Sequence, residues 1–147
     1  MEGIYVLLVS ISKNMAVDIG ALRRVAFKKG VYAYVGSAQN SLEKRLQRHF
    51  RKAKRRFWHI DYLLTNAHAR VIEAFYKEAE KPEECNVARK MGATGFAVKN
   101  FGCSDCNCES HLFWFSCRRS LEDLCLALGF RLFYLANESL YWETSEA

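Results

Sequence analysis

Proline is nearly missing from this chain. Pro82 stands alone in 147 residues, and glycine occurs only 8 times. Such a composition excludes a proline-rich linker, a collagen-like array and a glycine–serine tether. Long apolar runs are missing as well. The longest, Ile4 to Val9, is far short of the ~20 residues that a membrane-spanning helix needs. No repeat and no low-complexity segment interrupts the sequence. No basic leader precedes the first apolar run, so the expectation is a soluble, cytoplasmic chain that makes no membrane contact.

Half of the residues are hydrophobic and 14% are aromatic, enough to bury a core and to exclude disorder. At this length one domain is expected, spanning 1–117, with a small appendage over 118–147. Six cysteines without a secretory leader point to free thiols or metal ligands rather than disulfides. The charge of +6 is unevenly spread: residues 1–117 carry 19 basic and 11 acidic side chains, residues 118–147 only 3 and 5. A basic body of this kind suits a polyanionic partner, although a solvated basic surface would have the same count.

Gly3 to Ile11 is rich in Val, Ile and Tyr and predicts a buried strand. Met15 to Ile19 predicts a second strand and Val31 to Val35 a third. In the third, Tyr32 and Tyr34 share one face, while Val31, Ala33 and Val35 share the other. Gly36-Ser37-Ala38 is expected to break that strand, and Asn40 with Glu43 has capping-box spacing. A helix is predicted from Ser41 to Arg56, with Leu42, Leu46, Phe50, Ala53 and Phe57 as its apolar stripe. Trp58–Leu64 predicts a short helix and Val71–Tyr76 a strand. Pro82 opens a helix expected to stop at Gly92, and Leu112–Phe115 predicts the last core strand. In the appendage, Ser120 is expected to cap a helix that ends at Gly129, followed by a hairpin turning near Asn137.

Lys44 to Arg56 holds eight basic side chains, His49 and no acid. On a helix, Arg45, His49, Lys52 and Arg56 would form a stripe bordering the apolar face, where a pocket could form. Arg48, Arg51, Lys54 and Arg55 would point further out. Guanidinium groups suit phosphate oxygens, and phosphate contacts supply most non-specific affinity for nucleic acid. Tyr5 and Tyr34 on neighbouring strands, Arg45 and His49 one helical turn apart and a later glutamate together make a coherent phosphodiester site. The arginine would offset charge on the scissile phosphate. The glutamate would hold a divalent cation, and a tyrosine or the histidine would orient or deprotonate the nucleophile.

Gly3-Ile4-Tyr5, then Tyr34-Val35-Gly36, then Arg45-Leu46-Gln47-Arg48-His49 resemble the signature of the GIY-YIG nuclease superfamily. "YVGSA", "WHIDYLL", "EEC" and "SDCNCESHLFWF" resemble, more closely, a small and mainly archaeal branch of it long labelled a domain of unknown function. The resemblance covers roughly Glu2 to Phe115. It implies an α/β (α+β) fold with a small, mixed but mostly antiparallel sheet of three to five strands and flanking helices. It also implies Tyr5 as general base or water-orienting hydroxyl with Tyr34 beside it, Arg45 on the scissile phosphate, and His49 in proton transfer or substrate binding. Glu84, followed by Val87 and Ala88, fits the family's Mg²⁺- or Mn²⁺-binding glutamate, with Glu83 one residue away as the alternative. Gly36 would turn the backbone toward substrate. Ser37, Arg48, Lys52 and Arg56 would add phosphate contacts.

Cys103, Cys106, Cys108 and His111 stand within nine residues and contain the inventory of a structural Zn²⁺ site. Cys85 could fold back in place of Cys103, and reduced buried thiols are the alternative to any metal. The resulting expectation is a metal-dependent DNA endonuclease. The alternatives are a weakly catalytic or non-catalytic nucleic-acid-binding module, and a subunit whose acidic tail recruits a repair protein.

Overall fold

The computed structural model describes residues 1–134. Its strands are β1 (Gly3–Ile11), β2 (Met15–Asp18), β3 (Arg24–Phe27), β4 (Gly30–Ala38), β5 (Ala69–Glu78), β6 (Phe96–Ala97), β7 (Leu112–Phe115) and β8 (Arg131–Phe133). The helices are α1 (Leu42–Phe50), α2 (His59–Leu64), α3 (Glu83–Thr94) and α4 (Arg118–Ala127). Six strands form one sheet in the order β6-β7-β4-β1-β5-β8, with every neighbouring pair antiparallel; β2 and β3 form a separate ribbon. The mixed α+β class and the mostly antiparallel sheet are as expected, with one strand more than the range foresaw. No helix among the described residues is long and apolar enough to cross a membrane.

Strand alternation divides the core into two layers. Tyr5, Leu7, Val9 and Ile11 of β1 join Tyr32 and Tyr34 of β4 on one face, where Leu42 and Leu46 of α1 and Ile60, Leu63 and Leu64 of α2 cover them. Ile4, Val6 and Leu8 join Val31, Ala33 and Val35 on the other face, beneath Val87, Ala88 and Met91 of α3. Each Leu, Ile, Val or Met among them contributes ~1.5–3 kcal/mol when withdrawn fully from water. β1 is central and covered on both faces, and so reads as an unbroken apolar run.

Several boundaries differ from the sequence expectation. β4 does not break at Gly36 but pairs with β1 through Ala38, opposite Gly3. Ser41, not Asn40, caps α1, its hydroxyl accepting from the Lys44 N–H. α1 stops at Phe50 rather than Arg56: the Arg51 backbone turns extended, and Lys54 Nζ donates to the His49 carbonyl at 2.9 Å. α3 runs past Gly92 and closes at Gly95, whose N–H reaches the Met91 carbonyl at 2.8 Å.

The described part of 118–147 belongs to the same sheet and core. Leu121 and Cys125 of α4, together with Phe130, are buried in the layer beneath α3, and β8 pairs with β5. β8 lies where the first strand of the hairpin is expected; the turn near Asn137 and the second strand lie outside the described residues.

Candidate active site

Pairing of β1 with β4 sets Tyr5 opposite Gly36 and Leu7 opposite Tyr34, so both phenols emerge on the α1 side of the sheet, ring centroids 6.4 Å apart. The Tyr5 ring lies over Gly36 in the space where a Cβ would stand. Gly36 therefore serves the packing of Tyr5 inside a continuous strand, and not a turn toward substrate. α1 starts four residues beyond β4 and brings His49 under the same rings. Tyr5 Oη lies 2.8 Å from His49 Nε2 in a buried hydrogen bond.

Both partners of that bond are held neutral. Burial raises the Tyr5 pKa, opposed by Arg45 and assisted by Glu84 and Asp61. Burial, and then the Lys54 cation, bring His49 down to about 3 despite the pull of Asp61. Burial likewise raises Tyr34 well above its ordinary value, with Tyr5 and Glu84 adding to it.

A cleft of about 240 Å³ opens beside these rings. Tyr5, Tyr34, Gly36, Ser37, Arg45 and Glu84 line it, all singled out from the sequence. Trp58, Lys81 and Asp105 line it too and were missed. The Arg45 guanidinium carbon lies 4.4 Å from the Trp58 ring centroid. Lys81 and Asp105 carried no signal beyond their charge, and only the folded chain brings them to one opening. Arg45 Nη1 donates to the Ser37 carbonyl at 2.9 Å, which aims the guanidinium along the cleft wall.

Glu84 enters from the first turn of α3. Its Oε1 accepts from Ser37 Oγ at 2.6 Å, and its Oε2 lies 3.2 Å from His111 Nδ1. Burial would raise its pKa, but the hydrogen bonds from His111 and Ser37 outweigh that and lower it. Its neighbour Glu83 faces away, pairing with Lys77 at 2.8 Å and accepting from Asn86. The fold thereby separates the two candidate carboxylates.

The basic segment splits as well. Arg48 binds both oxygens of the buried Asp61 at 2.9 Å and also donates to the Arg55 carbonyl. Asp61 in turn accepts from the backbone N–H groups of Phe57 and Trp58. Lys52 Nζ donates to the Asn66 and Ala69 carbonyls. These two cations hold the segment after α1 against α2 and β5. Arg56 is exposed, its guanidinium carbon 5.2 Å from the Tyr62 ring centroid.

Behind the cleft, the ligand atoms of Cys85, Cys106, Cys108 and His111 all lie within 4.8 Å of one another, a set that could hold a metal ion. Cys103 is outside it, its thiol donating to the Phe101 carbonyl at 3.4 Å. Burial opposes charge on His111, but Glu84 and the Val35 carbonyl hold its pKa up at about 9.

The sheet, its two helical layers and the cleft at the start of α3 define a mixed α+β protein with a polar cleft at the junction of sheet and helices. The family model described as "Domain of unknown function DUF123" matches residues 4–132, and the chain belongs to that family. The match runs on through α4, beyond the segment that the sequence motifs cover. Neither a curated protein nor a solved structure matches the chain.

Proposed function

We propose that this chain is a metal-dependent endonuclease of the GIY-YIG type that hydrolyses phosphodiester bonds in DNA. The observation that carries the reading is the convergence of Tyr5, Tyr34, Arg45 and Glu84 on one cleft, with His49 hydrogen-bonded behind Tyr5. Arg45 supplies a guanidinium for a phosphate oxygen, and Lys81 adds a second cation at the same opening. Glu84 and Asp105 give the cleft two carboxylates, hard oxygen donors that fit Mg²⁺ or Mn²⁺. A cation held there would neutralise charge on the phosphate and lower the pKa of its bound water.

The chain's own residues orient that water. With His49 in the tautomer whose Nε2 carries no hydrogen, the Tyr5 hydroxyl donates to it at 2.8 Å, and the phenol oxygen is left to accept a hydrogen bond from the water. Burial keeps the pair neutral, so this contact aligns the nucleophile without separating charge. Arg45 and Ser37 fix the phosphate end of the cleft relative to Glu84. In the same reading the Cys85, Cys106, Cys108 and His111 set is a zinc centre, since thiolates and imidazole select that metal over Mg²⁺.

One observation favours a second reading, a nucleic-acid-binding module on the same scaffold. Both Glu84 oxygens already have partners in Ser37 and His111. Cleavage of branched, single-stranded and duplex DNAs with Mg²⁺ or Mn²⁺ separates the two. The nuclease reading expects metal-dependent cuts that fall by about 100-fold or more in Arg45→Ala. Salt-sensitive binding with no cleavage of any substrate would instead establish the module.

A further inference from the structure

Glu84 belongs to two sites at once. One of its oxygens meets Ser37 at the cleft wall, and the other meets His111, a member of the Cys/His set behind the cleft. We propose that Cys85, Cys106, Cys108 and His111 bind one Zn²⁺, and that Glu84 is the outer partner of its histidine ligand. Zinc and the cleft carboxylate would then be parts of one assembly. This inference goes beyond the nuclease reading and depends on it only in calling Glu84 a residue of the active cleft.

Geometry supports each ligand. Zn–S bonds of about 2.3 Å and Zn–N bonds of about 2.0 Å at tetrahedral angles place donor atoms roughly 3.5–3.8 Å apart. Cys106 Sγ and His111 Nε2 are already 3.3 Å apart, and no pair in the set exceeds 4.8 Å. An inward movement on the order of 1 Å closes the set around an ion of that size. Three of the four ligands are half-buried and the fourth, His111, is buried, so closure needs no large rearrangement of solvent-facing chain.

The histidine is already oriented for the task. His111 Nδ1 faces two acceptors, the Val35 carbonyl at 3.1 Å and Glu84 Oε2 at 3.2 Å. A neutral ring therefore keeps its hydrogen on Nδ1, and its Nε2 lone pair then points at Cys106. Metal-bound imidazoles ordinarily donate their second nitrogen to a carboxylate or a carbonyl, and here one ring nitrogen has both. The backbone fixes the ring as well: the His111 N–H donates to the Phe101 carbonyl at 2.8 Å, and its own carbonyl accepts from Val35 at 2.9 Å.

Chain topology gives the ion a structural consequence. Cys85 sits in the first turn of α3, directly after Glu84, while Cys106 and Cys108 belong to the loop between β6 and β7. An ion shared among them ties that loop to the helix start that carries Glu84. From there the contacts run on through Ser37 to Arg45. Zinc would thus hold the carboxylate in register with the arginine across the cleft, without itself reaching substrate, because a four-ligand site has no open position.

The test is metal binding by the full chain, independent of any cleavage. Purified wild type should carry one zinc per chain, and Co²⁺ exchanged into it should show tetrahedral bands with thiolate charge transfer. Zinc affinity, read by competition with a chromophoric chelator, should collapse in Cys108→Ser and stay unchanged in Cys103→Ser. Glu84→Ala should weaken zinc about 10- to 100-fold, the usual effect of losing an outer partner. Glu84→Gln, which keeps an acceptor for Nδ1–H, should fall between it and wild type. The Co²⁺ spectrum needs no variant and stands even if Cys108→Ser fails to fold.

Absence of stoichiometric zinc would overturn the inference. So would loss of the metal in Cys103→Ser, or unaltered affinity in Glu84→Ala. A chain that binds zinc in this way but cuts no DNA removes the nuclease reading and leaves the zinc assembly intact. A chain that cuts DNA with zinc absent does the reverse.

Discussion

The phenol of Tyr5 occupies the space that a side chain at Gly36, its partner on the neighbouring strand, would need. That one overlap explains why a glycine stands mid-strand beside the cleft. It also seats the Tyr5 hydroxyl 2.8 Å from His49 Nε2.

Gly36→Ala should displace the Tyr5 ring and break its bond to His49. Overfilling a packed site of this kind costs ~1–3 kcal/mol. The denaturation midpoint should therefore fall, and the proposed cleavage should fall further than stability accounts for at temperatures where the variant remains folded. Unchanged cleavage would mean that the position of Tyr5 is not critical.

Acid should destabilise the chain through His49. The ring titrates near 6.5 when unfolded and at about 3 when folded, because burial and the Lys54, Arg48 and Arg45 cations outweigh Asp61. Between those values the unfolded chain holds more protons, so the contribution of His49 is full above pH ~6.5 and drains as pH falls toward 3. Unfolding free energy should decline in that window by up to about 1.4 kcal/mol per pH unit. His49→Gln should flatten the profile, which urea titrations at several pH values would reveal.

Arg48 and Asp61 should behave as a structural pair. Asp61 is fully buried, with both oxygens on Arg48 and two backbone N–H groups on one of them. Asp61→Ala strands the guanidinium and frees those N–H groups. A loss of ~3–5 kcal/mol is expected, the usual consequence of breaking a buried ion pair from one side. Thermal denaturation would measure it, and a loss below 1 kcal/mol would show the pair to be dispensable.

The proposed affinity for DNA should sort the basic side chains by their partners. Lys44, Arg51, Arg55 and Arg56 are exposed, whereas Lys52 is tied to two carbonyls and Arg48 to Asp61. Each exposed cation that meets a phosphate should lower the slope of log affinity against log salt by about 1 when changed to alanine. Lys52→Ala should leave the slope unchanged and lower stability. Equal effects from both groups would indicate that the paired cations reach substrate as well.

Leu121→Ala tests whether α4 is integral to the core. The side chain is fully buried in the core layer that α3 also covers, on the face of the sheet opposite α1. Truncation should cost ~2–5 kcal/mol, while the proposed metal-dependent cleavage by the folded fraction should be unaltered. A loss near zero would show that α4 is held only loosely.

Sequence by itself determined the frame of the site. Alternation along Gly3–Ile11 and Gly30–Ala38 assigns Tyr5, Tyr32 and Tyr34 to one face of paired strands. The spacing of Leu42 and Leu46 turns Arg45 and His49 toward that face. These relations are short in sequence and follow from the periods of strand and helix, so they can be read in one dimension.

Tertiary structure decided everything that depends on which groups meet across the chain. Arg48 looks as available as Arg45 until Asp61, thirteen residues on, is folded against it. Cys103 is as eligible a ligand as Cys85 until the start of α3 is laid beside the Cys106–Cys108 loop. Gly36 reads as a turn until β1 supplies the ring that fills its empty Cβ position. Lys81, Asp105 and Trp58 show no local pattern that marks them as cleft residues. A charge or a thiol is committed by its nearest partner in space, and a folded chain draws that partner from any distance along the sequence.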